Sequence, residues 1–169
     1  MPAAAATEQP LLSAFEVAAD MLRGLLVDHA DLGELRTKAH RYGLKAWLGG
    51  PMTNAPKEHY EAQVVGPAHV PGAKVLGIEV GFHVEDKDEA KNDAILDALL
   101  AHEKRWRKEL GGGPDAVHAG VFLGAGRLGH WRRISETWPD PDLGHGDLAF
   151  ELAARLCDYM VTFEPLRKR

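Results

Sequence analysis

The stretch Leu76-Gly-Ile-Glu-Val-Gly-Phe-His-Val-Glu85 decides the fold. It alternates without a break: Leu76, Ile78, Val80, Phe82 and Val84 fall on one face of an extended chain, and Gly77, Glu79, Gly81, His83 and Glu85 on the other. One face belongs to a core and the other does not. Toward the N-terminus, Leu44 to Leu48 and His59 to Val65 alternate in the same way. Gly49, Gly50, Pro51, Pro56, Pro67, Pro71 and Gly72 lie between these segments, so with Val75 to Glu85 they predict a three-stranded antiparallel meander. Before the meander, Gln9 to Ala30 carries an apolar stripe at helical spacing. A second short helix is expected from Asp31, with Glu34 as its capping partner, to Arg41-Tyr42-Gly43.

Toward the C-terminus the period changes to that of a helix over Asp86 to Leu110, with basic residues gathered in its last turns and Gly111 to Pro114 stopping it. Val117 to Leu123 and His130 to Trp138 read as two further strands, joined by Gly124-Ala-Gly-Arg-Leu-Gly129. A last helix starts near Asp147, turns Leu148, Leu152, Leu156, Tyr159, Met160 and Phe163 inward, and stops at Pro165 and the charged tail. The expectation is an α+β fold: a mostly antiparallel sheet of about five strands with helices packed on it, in the order helix, helix, three strands, helix, two strands, helix. Residues 9–169 form its single domain, and residues 1–8, rich in alanine, are expected to be mobile.

A chain of 169 residues buries roughly 70% of its unfolded surface and needs no covalent staple. The single cysteine, Cys157, excludes an internal disulfide and any multi-cysteine metal cage, and its place in an apolar helix reads as an inert thiol. A formal charge of -5 argues against coating nucleic acid unless the positive charge is segregated. The N-terminal residues lack a basic and apolar leader pattern, and no apolar run is long enough to span a bilayer. A cytoplasmic protein with no membrane partner is expected, and its sheet edges and apolar first helix would suit a homodimer.

Several motifs nearly match. Gly124-Ala-Gly-Arg-Leu-Gly129 spells a dinucleotide fingerprint, but a strand rather than a helix follows it. His59-Tyr60-Glu61 copies half of a zinc deaminase site without the cysteines, and His102-Glu103 begins a zincin motif in which Trp106 replaces the second histidine. Asp140, Asp142, His145 and Asp147 gather in one loop, where proline turns and a capping aspartate explain them. The sequence names no cofactor.

Two surfaces carry chemistry. On the polar face of the sheet, Glu79, His83 and Glu85 share a side with His59, Glu61 and Gln63 and, further on, with His118; Gly77, Gly81 and Gly120 leave this pleat open. Glu79, His83 and His118 are candidates for acid–base work, and His59, Glu61, Glu79 and His83 for binding a metal. The second surface is basic and aromatic. Arg105, Arg107 and Lys108 at a helix end, Arg127, and Trp131, Arg132 and Arg133 on the last strand combine phosphate contacts with base stacking.

From Gly77-Ile-Glu-Val-Gly-Phe-His-Val-Glu85 through Asn92, Ile95-Leu-Asp-Ala-Leu-Leu100, Glu109-Leu-Gly111 and Trp131-Arg-Arg-Ile134 to the closing helix, the chain resembles an uncharacterised bacterial domain often found beside restriction-type nuclease domains. The resemblance covers a little over half the chain, implies an accessory role near nucleic-acid defence or processing, and carries over no catalytic residue. The expected function is a small binding or interaction module. The alternatives are a metal-assisted or acid–base enzyme on the polar face, and nucleic-acid binding through the basic patch.

Overall fold

The computed structural model describes residues 2–113, 115–121, 129–143 and 146–167. Helix α1 (Pro2–Leu25) and a 3-10 turn (Val27–Leu32) lead into strands β1 (Leu35–His40), β2 (Gly43–Leu48), β3 (Glu58–Val65) and β4 (Gly77–Val84). Helices α2 (Glu89–Leu100) and α3 (Glu103–Leu110), strands β5 (His118–Val121) and β6 (Arg132–Pro139), and helix α4 (Leu148–Arg167) complete the chain. The six strands form one antiparallel sheet in the order β1-β2-β3-β4-β6-β5. The α+β class is as the sequence predicts, with one strand more. Among the described residues no helix is long and apolar enough to cross a membrane.

The additional strand is β1, where a second helix was expected. Leu35, Thr37 and Ala39 alternate with Arg36, Lys38 and His40, and Leu35 and Ala39 stand opposite Leu48 and Leu44 across a tight turn at Arg41-Tyr42. The apparent cap at Asp31 belongs instead to the 3-10 turn. Gly33 ends that turn at φ 127°, a backbone angle that side chains rarely adopt. The helix expected over Asp86 to Leu110 breaks at Ala101-His102, where the Leu99 carbonyl accepts from the His102 amide at 3.0 Å and from the Trp106 indole at 2.9 Å. At the ends of the chain, α1 begins at Pro2 rather than Gln9, and α4 passes through Pro165 to Arg167. Most of the glycine-rich connection between β5 and β6 (124–128) lies outside the described residues, as does His145.

One face of the sheet is the core. Leu44, Ala46, Tyr60, Ala62, Ile78, Val80, Phe82, Val84 and Ile134 pack there against Phe15, Ala18 and Leu22 of α1 and Leu152, Leu156, Tyr159, Met160 and Phe163 of α4. The apolar phase of β4 read from the sequence is therefore the phase that faces the helices. Two polar stitches fix the helices on the sheet. Asn92 of α2 pairs with the Asp86 backbone and donates to His130 O, while Tyr60 donates to Glu164, which Arg167 also holds.

The opposite face is closed as well, against the expectation of an open pleat. Val70, with Val65, Ala73 and Trp131, builds a small apolar cluster that fills the space over Gly77. At Gly81 the β6 backbone approaches so closely that a Cβ would meet Ser135 Cα and Cβ at 2.5 Å. Gly81→Ala is therefore expected to lower stability by about 1–3 kcal/mol, the range typical of overpacking. Gly24→Ala, with open space around the new methyl on a helix, should be neutral or stabilising by up to about 1 kcal/mol. Urea unfolding of the two variants checks both, and an unaffected Gly81→Ala would contradict the close β4–β6 approach.

Candidate metal centre

The register of β3 and β4 builds the site. His59 stands directly opposite His83, Glu61 opposite Gly81 and Gln63 opposite Glu79, so all of these share the face turned away from the helices, and Glu85 continues the phase just past β4. The two imidazoles stack with centroids 5.8 Å apart. His59, Glu61, Glu79 and His83 are buried, and the Glu85 side chain is 14% exposed. One ligand-type atom from each of His59, Glu61, His83 and Glu85 lies within 4.8 Å of the others.

The outer hydrogen bonds fix which nitrogens turn inward. His59 Nδ1 lies 2.9 Å from the Pro56 carbonyl, an acceptor only, so Nδ1 carries a proton and Nε2 faces the cluster, 3.1 Å from Glu61 Oε2 and 3.8 Å from Glu85 Oε1. His83 Nε2 donates to Glu79, leaving Nδ1 turned inward, 3.5 Å from Glu85 Oε1 and 3.9 Å from Glu61 Oε2. Glu79 and His83 are four residues apart on a strand, about 13 Å along the backbone. Their side chains close over Gly81, which presents none. Arg133 Nη1 holds the other Glu79 oxygen at 3.0 Å. From β2, Lys45 Nζ lies 3.7 Å from Glu61 and 3.5 Å from Glu85.

Burial alone would strip these groups of charge, and their neighbours reverse that. For His83 the desolvation is outweighed by Glu79, Glu85 and Glu61, and its pKa is raised to about 10. Glu85 is likewise opposed by burial, but the hydrogen bond with His83 and the charges of His59 and Lys45 lower it to about 2. Glu79 is lowered despite its burial, through His83 and Arg133.

Of the candidates read from the sequence, His59, Glu61, Glu79 and His83 come together. His118 does not: it lies on edge strand β5, exposed, paired with Ser135 and two strands from β4. Glu85 joins the cluster although the sequence reading did not place it among the metal candidates; it follows His83 in the same phase. Lys45 and the Pro56 carbonyl also border the cluster, and no local sequence signal marks them. The basic residues are engaged within the chain. Arg105 pairs with Glu109, Arg107 with Glu103 and the Val117 carbonyl, Arg132 with Glu89 and Asp93, and Arg133 with Glu79. Lys108 is exposed, Trp106 is buried and Trp131 packs in the small apolar cluster. Arg127 lies outside the described residues. In the acidic loop, Asp140 accepts from the amides of Lys74, Val75 and Leu76 and so acts as a turn brace.

Comparison of the chain with protein-family models, with curated proteins and with solved structures gave no match.

The pKa directions fix how the metal-free protein responds to pH. His83, raised from 6.5 to about 10, contributes stability that is complete below about pH 6.5 and is lost as pH rises toward 10. Glu85, lowered from 4.5 to about 2, contributes stability that is present above about pH 4.5 and is lost as pH falls toward 2. Thermal unfolding in chelator should be most favourable for the fold between those limits and fall on the alkaline side, and His83→Gln should flatten that fall. A wild-type alkaline limb no steeper than that of the variant would contradict the ion-paired His83.

Proposed function

We propose that the protein is a metal-binding module that holds one divalent first-row transition-metal ion between β3 and β4. The ligands are His59 Nε2, His83 Nδ1 and one carboxylate oxygen each from Glu61 and Glu85. The observation that carries this reading is the convergence of the four atoms. In a tetrahedral site with bonds of roughly 2.0–2.1 Å, neighbouring ligand atoms stand about 3.4 Å apart. The four nitrogen–oxygen distances in the cluster are 3.1, 3.5, 3.8 and 3.9 Å. One atom from each of the four residues lies within 4.8 Å of the others, so side-chain rotation has to draw the cluster together around the ion.

The donor set sets the class of ion. Imidazole with carboxylate suits zinc, iron(II) or manganese(II), whereas calcium and magnesium favour all-oxygen shells and copper(I) favours sulfur. Two carboxylates balance the charge of a divalent ion, and binding takes the proton from His83 Nδ1. The surroundings match what metal-bound histidines need. Each ring nitrogen away from the cluster donates to an oxygen, from Pro56 for His59 and from Glu79 for His83, which orients the ring and strengthens the inward nitrogen as a ligand. Four protein ligands would complete a tetrahedral shell, whereas catalytic zinc sites keep a position open, and this favours binding over turnover.

Native mass spectrometry of the tag-free protein with added zinc should show one ion per chain. The ion should persist in His118→Ala and be lost in His83→Ala and in the double variant His59→Ala/Glu61→Gln. Glu79→Gln, which touches only the orienting bond, should weaken binding by about 10–100-fold. A wild-type chain that stays bare after loading, or a zinc adduct unchanged by the ligand substitutions, would overturn the proposal.

A further inference from the structure

Lys45 stands in β2 directly opposite Glu61 and reaches into the cluster from the neighbouring strand. Its ammonium lies 3.7 Å from Glu61 Oε2 and 3.5 Å from Glu85 Oε2, so it touches both carboxylates assigned to the ion. His59, Glu61 and His83 are sealed, whereas the Lys45 side chain is 27% exposed and rests beside Glu85, the least buried of the ligands. Lys45 therefore lies where the cluster meets solvent, on a flexible four-carbon stem that can carry its charge outward. Of the other cations on this face, Arg133 sits on Glu79 at 3.0 Å, while Lys38, directly opposite Lys45, and Arg36, paired with Glu34, lie further out on β1.

We infer that Lys45 is a tethered competitor of the metal: its ammonium occupies Glu61 and Glu85 in the metal-free protein, is expelled to solvent when the ion enters, and so sets the concentration at which the site fills. This rests on the metal-binding reading above. The physical reason is that an ion bound to these carboxylates and an ammonium held 3.7 Å from the same Glu61 oxygen and 3.5 Å from Glu85 repel each other. Their repulsion is large compared with thermal energy even at an effective dielectric constant of about 20. The device also selects by charge. A monovalent cation gains nothing over the ammonium already in place, whereas a divalent ion gains a second unit of attraction to each carboxylate.

Zinc titration of the full chain against a chromophoric chelator, with wild type, Lys45→Met and Lys45→Arg, tests this. Removing the charge in Lys45→Met should tighten Kd by at least about tenfold, and Lys45→Arg, which keeps it, should stay within about threefold of wild type. If Lys45→Met fails to fold by circular dichroism, Lys45→Gln takes its place. Zinc binding by wild type with an equal or weaker Kd in the neutral variant overturns the role of Lys45 and leaves the metal site standing. Absence of zinc from all three proteins overturns the metal site and the inference together. Zinc binding by the neutral variant alone supports the competition and counts against a metal in the natural chain.

Discussion

Burying three carboxylates and two imidazoles on one sheet face is the constraint around which the rest of this structure is arranged. Glu61, Glu79 and Glu85 cannot be taken from water without compensating charge, because an uncompensated buried carboxylate costs several kcal/mol. Compensation comes from four directions: His83 between Glu79 and Glu85, Arg133 from β6, Lys45 from β2, and His59 beside Glu61. These partners lie on four adjacent strands, β2, β3, β4 and β6. The ion pairs thus reinforce the strand order that the backbone ladder sets. In the proposed metal-bound form, the charge of the ion would stand in for the His83 proton and the Lys45 ammonium.

The two faces of β4 divide the work. Ile78, Val80, Phe82 and Val84 bury against α1 and α4 and give the sheet its stability, so the alternate residues on the other side are held on a rigid platform. Positional precision at a metal site depends on such support, because ligands on strands move less than ligands on loops. Closure of the polar face adds to it. Val70 packs over Gly77 and Ser135 lies close against Gly81, and His59, Glu61, Glu79 and His83 are buried on the same face.

The legible parts of the fold were those set by local periodicity. Alternation in β4 sorted its residues onto the right two faces, because a strand turns successive side chains to opposite sides whatever surrounds it, but it did not report that the polar face is buried too. The same rule put His59, Glu61, Glu79 and His83 on one face. What surrounds that face was not legible. Its closure comes from Val70, Trp131 and the close approach of β6, none of which has a period. β1 was hidden because its polar residues fit an amphipathic turn as well as an edge strand, and the break before α3, where Trp106 reaches back to Leu99, has no glycine or proline to announce it. Pairing escaped for the same reason. Arg132 and Arg133 looked like a free basic patch because Glu89, Asp93 and Glu79, which neutralise them, come from other elements.

The most direct test of the central claim is X-ray absorption at the zinc edge of the loaded protein, which reports the identity and distance of the atoms around the ion. The account predicts four nitrogen and oxygen neighbours at about 2.0–2.1 Å with the outer-shell signature of two imidazoles. A shell of oxygen alone, without imidazole scattering, would place the zinc elsewhere on the chain and contradict a centre built on His59 and His83.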